Sequence, residues 1–142
     1  MNECLKLHNL SAACKRGPLI VRPLSSLFRH LNQFLFSCHI GTDARICEGC
    51  IFQHNGVGVV IFERAIIGER VEIYQGVTVV ERRGGPVIGN GVSIGANAVV
   101  LGPITVGNDS RIGAGAVVLD DVPPGSTVVG VPARVVRHGC YR

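Results

Sequence analysis

The sequence predicts an all-β solenoid of about five coils, preceded by a short α-helix. Three observations carry this. Branched apolar residues recur every six positions. A second, mostly small series follows each of them at an offset of four, and glycine often comes directly after the first. The composition is that of short strands. Val, Ile and Gly dominate, with two Tyr, five Phe and no Trp in 142 residues, so the core is built from small branched side chains that favour strands.

Taken in order, residues 1–22 show no clear period. From Pro23, apolar residues fall at Leu24, Leu27, Phe28, Leu31 and Leu35, one face of a helix over about 23–36. Pro23 suits a first helical position, and the face is expected to pack against one end of the solenoid. The repeat begins at Ile40, Ile46 and Phe52, with Ala44 and Cys50 between. It continues at Ile67, Ile73 and Val79, with Val71 and Val77 between. The longest run is Ile88, Ile94, Val100, Val106, Ile112 and Val118, followed by Val92, Ala98, Ile104, Ser110, Ala116 and Val122. A period of six fits neither a helix nor a lone hairpin. It fits short strands joined by sharp corners, each strand pairing with the one a full coil away. The organisation is then an N-terminal segment 1–37, a solenoid 38–136 and a tail 137–142.

The rhythm slips twice. Phe52 to Ile67 is 15 residues and Val79 to Ile88 is nine, neither a multiple of six. The interruptions fall around 53–61, which contains His54, and around 80–87. Loops placed by a rigid scaffold are where chemistry tends to sit.

The net charge of +4 is modest and scattered, and aromatics are few, which argues against a nucleic-acid partner. No apolar run approaches the ~20 residues of a membrane span. The N-terminus has no apolar signal core, so a cytoplasmic setting with reduced cysteines is expected. Cys47 and Cys50 have the spacing of half a zinc site, but no second pair exists. The register makes Cys50 an inward packing residue and Cys47 a corner, so no metal is expected.

Several segments carry a resemblance: His54 after an apolar pair, Ile73-Tyr74-Gln75-Gly76-Val77-Thr78, Pro86 through Gly102, Ile112 through Val118, and the closing Gly130-Val131-Pro132-Ala133-Arg134. Over about 38–136 the chain resembles the hexapeptide-repeat acyltransferases, in their serine acetyltransferase-like branch. The resemblance implies a left-handed parallel β-helix, a homotrimer, acetyl-CoA as donor, and sites between neighbouring subunits. It makes His54 the general base. A neutral imidazole removes the proton of an attacking hydroxyl as the new bond forms, a contribution of ~10²–10⁴-fold. A backbone N–H is the expected donor to the oxyanion. Gly95-Ala96 and Gly113-Ala114 match the steps along which CoA lies. Arg111 matches a basic position near its phosphates, and Thr78 is a further candidate for the donor side.

The chain also departs from the pattern. Serine-specific members place an acid immediately before the histidine, where this chain has Gln53, and another about fifteen residues upstream, where it has His39. Their second histidine, before the proline of the second loop, is here Gly85. His39 and Glu63 are candidates for supporting His54. Gln53, Asn55, Arg82 and Arg83 are candidates for holding the acceptor, the arginines otherwise forming a solvated loop. Arg134, Arg137, His138 and Arg142 either meet CoA phosphates or form a solvated tail. The expected activity is O-acetylation of a small hydroxyl acceptor, a surface-polysaccharide sugar or serine. N-acetylation of an amino sugar and a non-catalytic trimeric scaffold are the alternatives. A zinc hydro-lyase on the same solenoid needs three converging imidazoles, and only His54 lies within the coils, with His39 at their edge.

Overall fold

Six-residue spacing becomes a three-sided prism. The computed structural model of the chain describes residues 3–20, 22–80 and 84–139. Among the described residues, fifteen short strands form three sheets. The first sheet stacks β1 (His39–Ile40), β4 (Val60–Ile61), β7 (Thr78–Val80), β10 (Val99–Leu101) and β13 (Val117–Val118). The second stacks β2 (Arg45–Ile46), β5 (Ile66–Ile67), β8 (Val87–Ile88) and β11 (Thr105–Val106). The third stacks β3 (Ile51–Phe52), β6 (Glu72–Ile73), β9 (Ser93–Ile94), β12 (Arg111–Ile112) and β14 (Thr127–Val129). All these pairings are parallel. The chain finally reverses in β15 (Arg134–Arg137), antiparallel to β14. There are four complete turns. In a fifth, tighter turn, the second-sheet strand shrinks to one bridge between Val122 and Val106.

The pairing register explains the slips. An uninterrupted coil is 18 residues, as in Val60 opposite Thr78 and Val99 opposite Val117. A coil carrying an interruption is 21, as in His39 opposite Val60 and Thr78 opposite Val99. Each interruption therefore adds three residues at one corner and leaves the sheets in register. The inward series is buried as the hexads require. Ile67, Ile73, Val79, Val100 and Val106 are fully enclosed, and Ala98, Ser110 and Ala116 fill the narrow offset positions. Ile46 is the exception, only partly buried against the core.

Among the described residues two helices precede the solenoid, not one. α1 (Glu3–Arg16) lies where the sequence shows no period, and α2 (Arg22–Phe36) matches the expected helix. α1 buries Cys4, Leu5, His8 and Ser11, a correctly spaced stripe made largely of small and polar groups. The face expected for α2 is corrected. Leu24, Leu27, Leu31 and Leu35 are exposed, and the buried residue of α2 is Asn32. α1 occupies the position beside α2 and is met by its polar side: Ser11 Oγ donates to Ser25 O at 2.9 Å and Asn32 Nδ2 to Cys4 O at 3.2 Å. Lys15 Nζ then ties α1 to the first coil through Thr42 Oγ1 and Asp43 Oδ2, at 2.9 and 2.7 Å.

Candidate active site

The edge of the prism between the third and first sheets gathers most of the singled-out residues. In the first coil this corner is a 3-10 turn, Gln53–Gly56, and His54 (φ 51°, ψ 38°) and Asn55 (φ 57°, ψ 20°) both take left-handed backbone. Such dihedrals cost a side-chain-bearing residue roughly 1–2 kcal/mol each, and they recur at other corners of the coils, in Arg64, Arg70, Asn97 and Asp109. His54 and Asn55 are exposed and Gln53 is half-buried.

Above the turn the corners stack as rungs. Gly76 N donates to Val57 O at 2.9 Å, Asn97 N to Gln75 O at 3.0 Å, and Gly115 N to Ala96 O at 2.8 Å. Gly95-Ala96 and Gly113-Ala114 follow β9 and β12 on this same edge. The small side chains of Ala96 and Ala114, half-buried and exposed respectively, leave the backbone of the edge open. Thr78 is half-buried in β7, between Val60 and Val99. Arg111 lies on the outer face of β12, in a groove shared with Arg70, Glu72, Tyr74, Ser93 and Asp109. The groove thus gathers two arginines and two carboxylates.

Of the supporting candidates, His39 begins β1 in line with Val60 and Thr78, at the border of this same edge, while Glu63 lies elsewhere. The His39 ring packs against Phe62, with centroids 6.4 Å apart and planes at 59°. Glu63 is exposed on the opposite border of the first sheet, its backbone pressed on Gly41. Within one chain, a whole face of the prism separates it from the His54 turn. The second interruption leaves from Glu63's edge too. Gly85 there abuts the Arg64 carbonyl, so an added Cβ would collide with backbone, and a histidine at 85 requires a different loop path. Arg82 and Arg83 lie outside the described residues, as does Arg142. At the start of β15, Arg134 Nη1 reaches Asp120 Oδ2 at 3.4 Å and Ala133 O at 2.9 Å. Cys50 is buried, its thiol donating to Gly68 O at 3.1 Å, while Cys47 is exposed. Among the described residues no group of three or more His, Cys, Asp or Glu is placed to hold a metal ion. The sequence gives no sign of one feature: Cys4 and Cys38 meet directly beneath the His54 turn.

A parallel prism of hexads with a strained histidine turn on a glycine–alanine edge defines the hexapeptide-repeat transferase class. The bacterial transferase hexapeptide (six repeats) pattern matches residues 85–120. The serine acetyltransferase of Synechococcus elongatus is 46% identical over 127 residues, covering 86% of this chain and 50% of that protein. That of Helicobacter pylori is 45% identical, covering 86% and 71%. Among solved structures, soybean serine acetyltransferase complexed with serine superposes with a TM-score of 0.85 at 39% identity, covering 94% of this chain and 56% of that one. The Brucella abortus serine acetyltransferase in complex with coenzyme A gives 0.87 at 33%, covering 96% and 56%. The chain belongs to the serine acetyltransferase family of hexapeptide-repeat acyltransferases. It spans about half the length of several of these relatives.

Proposed function

We propose that the chain is an acetyl-CoA-dependent O-acetyltransferase whose solenoid, residues 38–136, transfers the acetyl group to the hydroxyl of serine or a closely similar small acceptor. The observation that carries this is the alignment of the His54 turn with the Gly95-Ala96 and Gly113-Ala114 steps on one edge. A donor lying along those steps brings its thioester toward His54. The CoA complex of the Brucella relative and the serine complex of the soybean relative support the two substrates.

His54 Nε2 or Nδ1 takes the proton of the acceptor hydroxyl as its oxygen attacks the thioester carbonyl. The tetrahedral oxyanion is held by backbone N–H at the open edge. Collapse expels the CoA thiolate, which receives the proton. Ala96 and Ala114 give the donor access to backbone, with Thr78 and Arg111 as its polar contacts. Gln53 and Asn55 flank the base on the acceptor side. Glu63 stands on a different edge of the prism from the His54 turn, so a homotrimer supplies a direct way for one chain's His54 turn to meet Glu63 of another; Arg82 and Arg83 are acceptor candidates from the sequence. A cytoplasmic setting accords with the need for acetyl-CoA.

A second reading has its own observation. Gln53 and His39 stand where serine-specific relatives have acids, and Gly85 is closed against Arg64. Both remove charge and hydrogen bonding from the amino-acid side, which favours a sugar hydroxyl of a surface polysaccharide. Thiol release from acetyl-CoA, measured against serine, homoserine, amino sugars, nucleotide sugars and glycosides, separates the two. Turnover with serine alone supports the first, turnover with a sugar the second. Failure of acetyl-CoA to bind overturns both.

A further inference from the structure

We propose that Cys4 and Cys38 are an oxidisable thiol pair, a disulfide site that ties α1 to the first coil directly under the His54 turn. The two sulfurs are 2.9 Å apart and both residues are buried, at 0% and 1% exposure. They come from different elements: Cys4 from the first turn of α1, Cys38 from the residue before β1. A Cβ built on Gly56 would stand 3.4 Å from Cys4 Sγ and 3.6 Å from Cys38 Sγ. The turn that carries His54 thus rests on this pair two residues away. Its far side hangs on α2, where Gly58 N donates to Phe36 O at 3.3 Å. The proposed acetyl transfer uses neither thiol.

A disulfide needs S–S of about 2.05 Å, so the sulfurs close by less than an ångström of their present separation. The oxidant is a low-molecular-weight disulfide of the glutathione type. The first turn of a helix lacks intrahelical acceptors for its N–H groups and opens most readily, which exposes Cys4. Its hydrogen bond to Cys38 holds the Cys4 thiol below the ordinary value, while the same bond and burial hold Cys38 above it. The Cys4 thiolate attacks one sulfur of the oxidant, forming a mixed disulfide and releasing one thiolate. Cys38 then gives up its proton and attacks Cys4 Sγ, expelling the second thiolate. Two protein thiols are oxidised by two electrons, the small disulfide is reduced to two thiols, and the two protons go to them. Drawing the sulfurs together removes support from under Gly56 and changes the pose of the His54 turn.

The test uses the full chain, reduced and then incubated with oxidised glutathione. Alkylation followed by peptide mapping is expected to give one linked peptide joining Cys4 and Cys38. The melting temperature rises by about 5–10 °C, and the His54 ring resonances shift in NMR spectra. Cys4→Ser and Cys38→Ser each abolish all three effects. The proposal is overturned if both thiols alkylate like the exposed Cys47, if they pair with other cysteines, or if the link forms and the His54 resonances stay in place. None of these readouts requires turnover, so the outcome does not depend on the acceptor.

Discussion

A Cβ placed on Gly95 would stand 2.6 Å from the backbone nitrogen of Ala114, one coil above it. The glycine is required by the stacking of coils, whatever lies along the outside of the edge. Gly95→Ala is therefore expected to lower stability by about 1–3 kcal/mol, as overpacking does. Gly115, two residues beyond Gly113, has nothing within 4 Å of its would-be Cβ and a φ of +68°. Gly115→Ala meets only the left-handed backbone cost, about 1–2 kcal/mol. Thermal denaturation of both variants checks this. A Gly95→Ala protein that melts with the wild type would show that the coils are stacked more loosely than a 2.6 Å approach requires.

His54 carries the proposed chemistry and contributes little packing, being exposed. His54→Ala is expected to reduce turnover by at least ~10²-fold. Acetyl-CoA binding and the melting temperature should stay close to wild type, since the Gly-Ala steps are untouched. Steady-state thiol release paired with a CoA titration separates the two effects. Unchanged turnover removes His54 from the role of base.

The prism is legible in the sequence because its signal is repeated: one hexad is ambiguous, but six in a row from Ile88 to Val118 admit one architecture. The His54 turn is legible for the same reason, as a break in a strict period. α1 is not, because its inward stripe is Cys4, Leu5, His8 and Ser11, and hydropathy periodicity does not register a face of small and polar residues. The apolar stripe of α2 misleads for the converse reason. Leu24, Leu27, Leu31 and Leu35 mark one side of a helix, but periodicity does not say which neighbour covers it. The thiol pair joins positions 34 residues apart, and nothing local signals that proximity.

The offset series sets the width of the prism. Ala98 and Ala116 are fully buried, with Ile and Val filling the space around them. Ala98→Leu or Ala116→Leu adds three carbons to a filled interior, an expected loss of about 1–3 kcal/mol. Chemical denaturation at equilibrium measures it. A variant as stable as the wild type would mean that the inward register is displaced.

His8 makes the fold sensitive to acid. It is buried between α1 and the first coil, and its Nδ1 has no hydrogen-bond partner among the described residues. Burial, aided by the Arg16 charge and opposed by a backbone hydrogen bond at Ala44, lowers its pKa from 6.5 to about 4. The unfolded chain therefore binds a proton more readily than the folded one between these values, and stability rises with pH across that window. The contribution is fully present above pH 6.5 and is lost as pH falls toward 4, amounting to up to about 3 kcal/mol at about 1.36 kcal/mol per pH unit. His8→Gln keeps a polar side chain of similar reach and cannot titrate. Melting temperatures from about pH 7 down to about pH 4 are expected to fall more steeply for the wild type than for this variant. Parallel slopes would place the acid sensitivity on other groups.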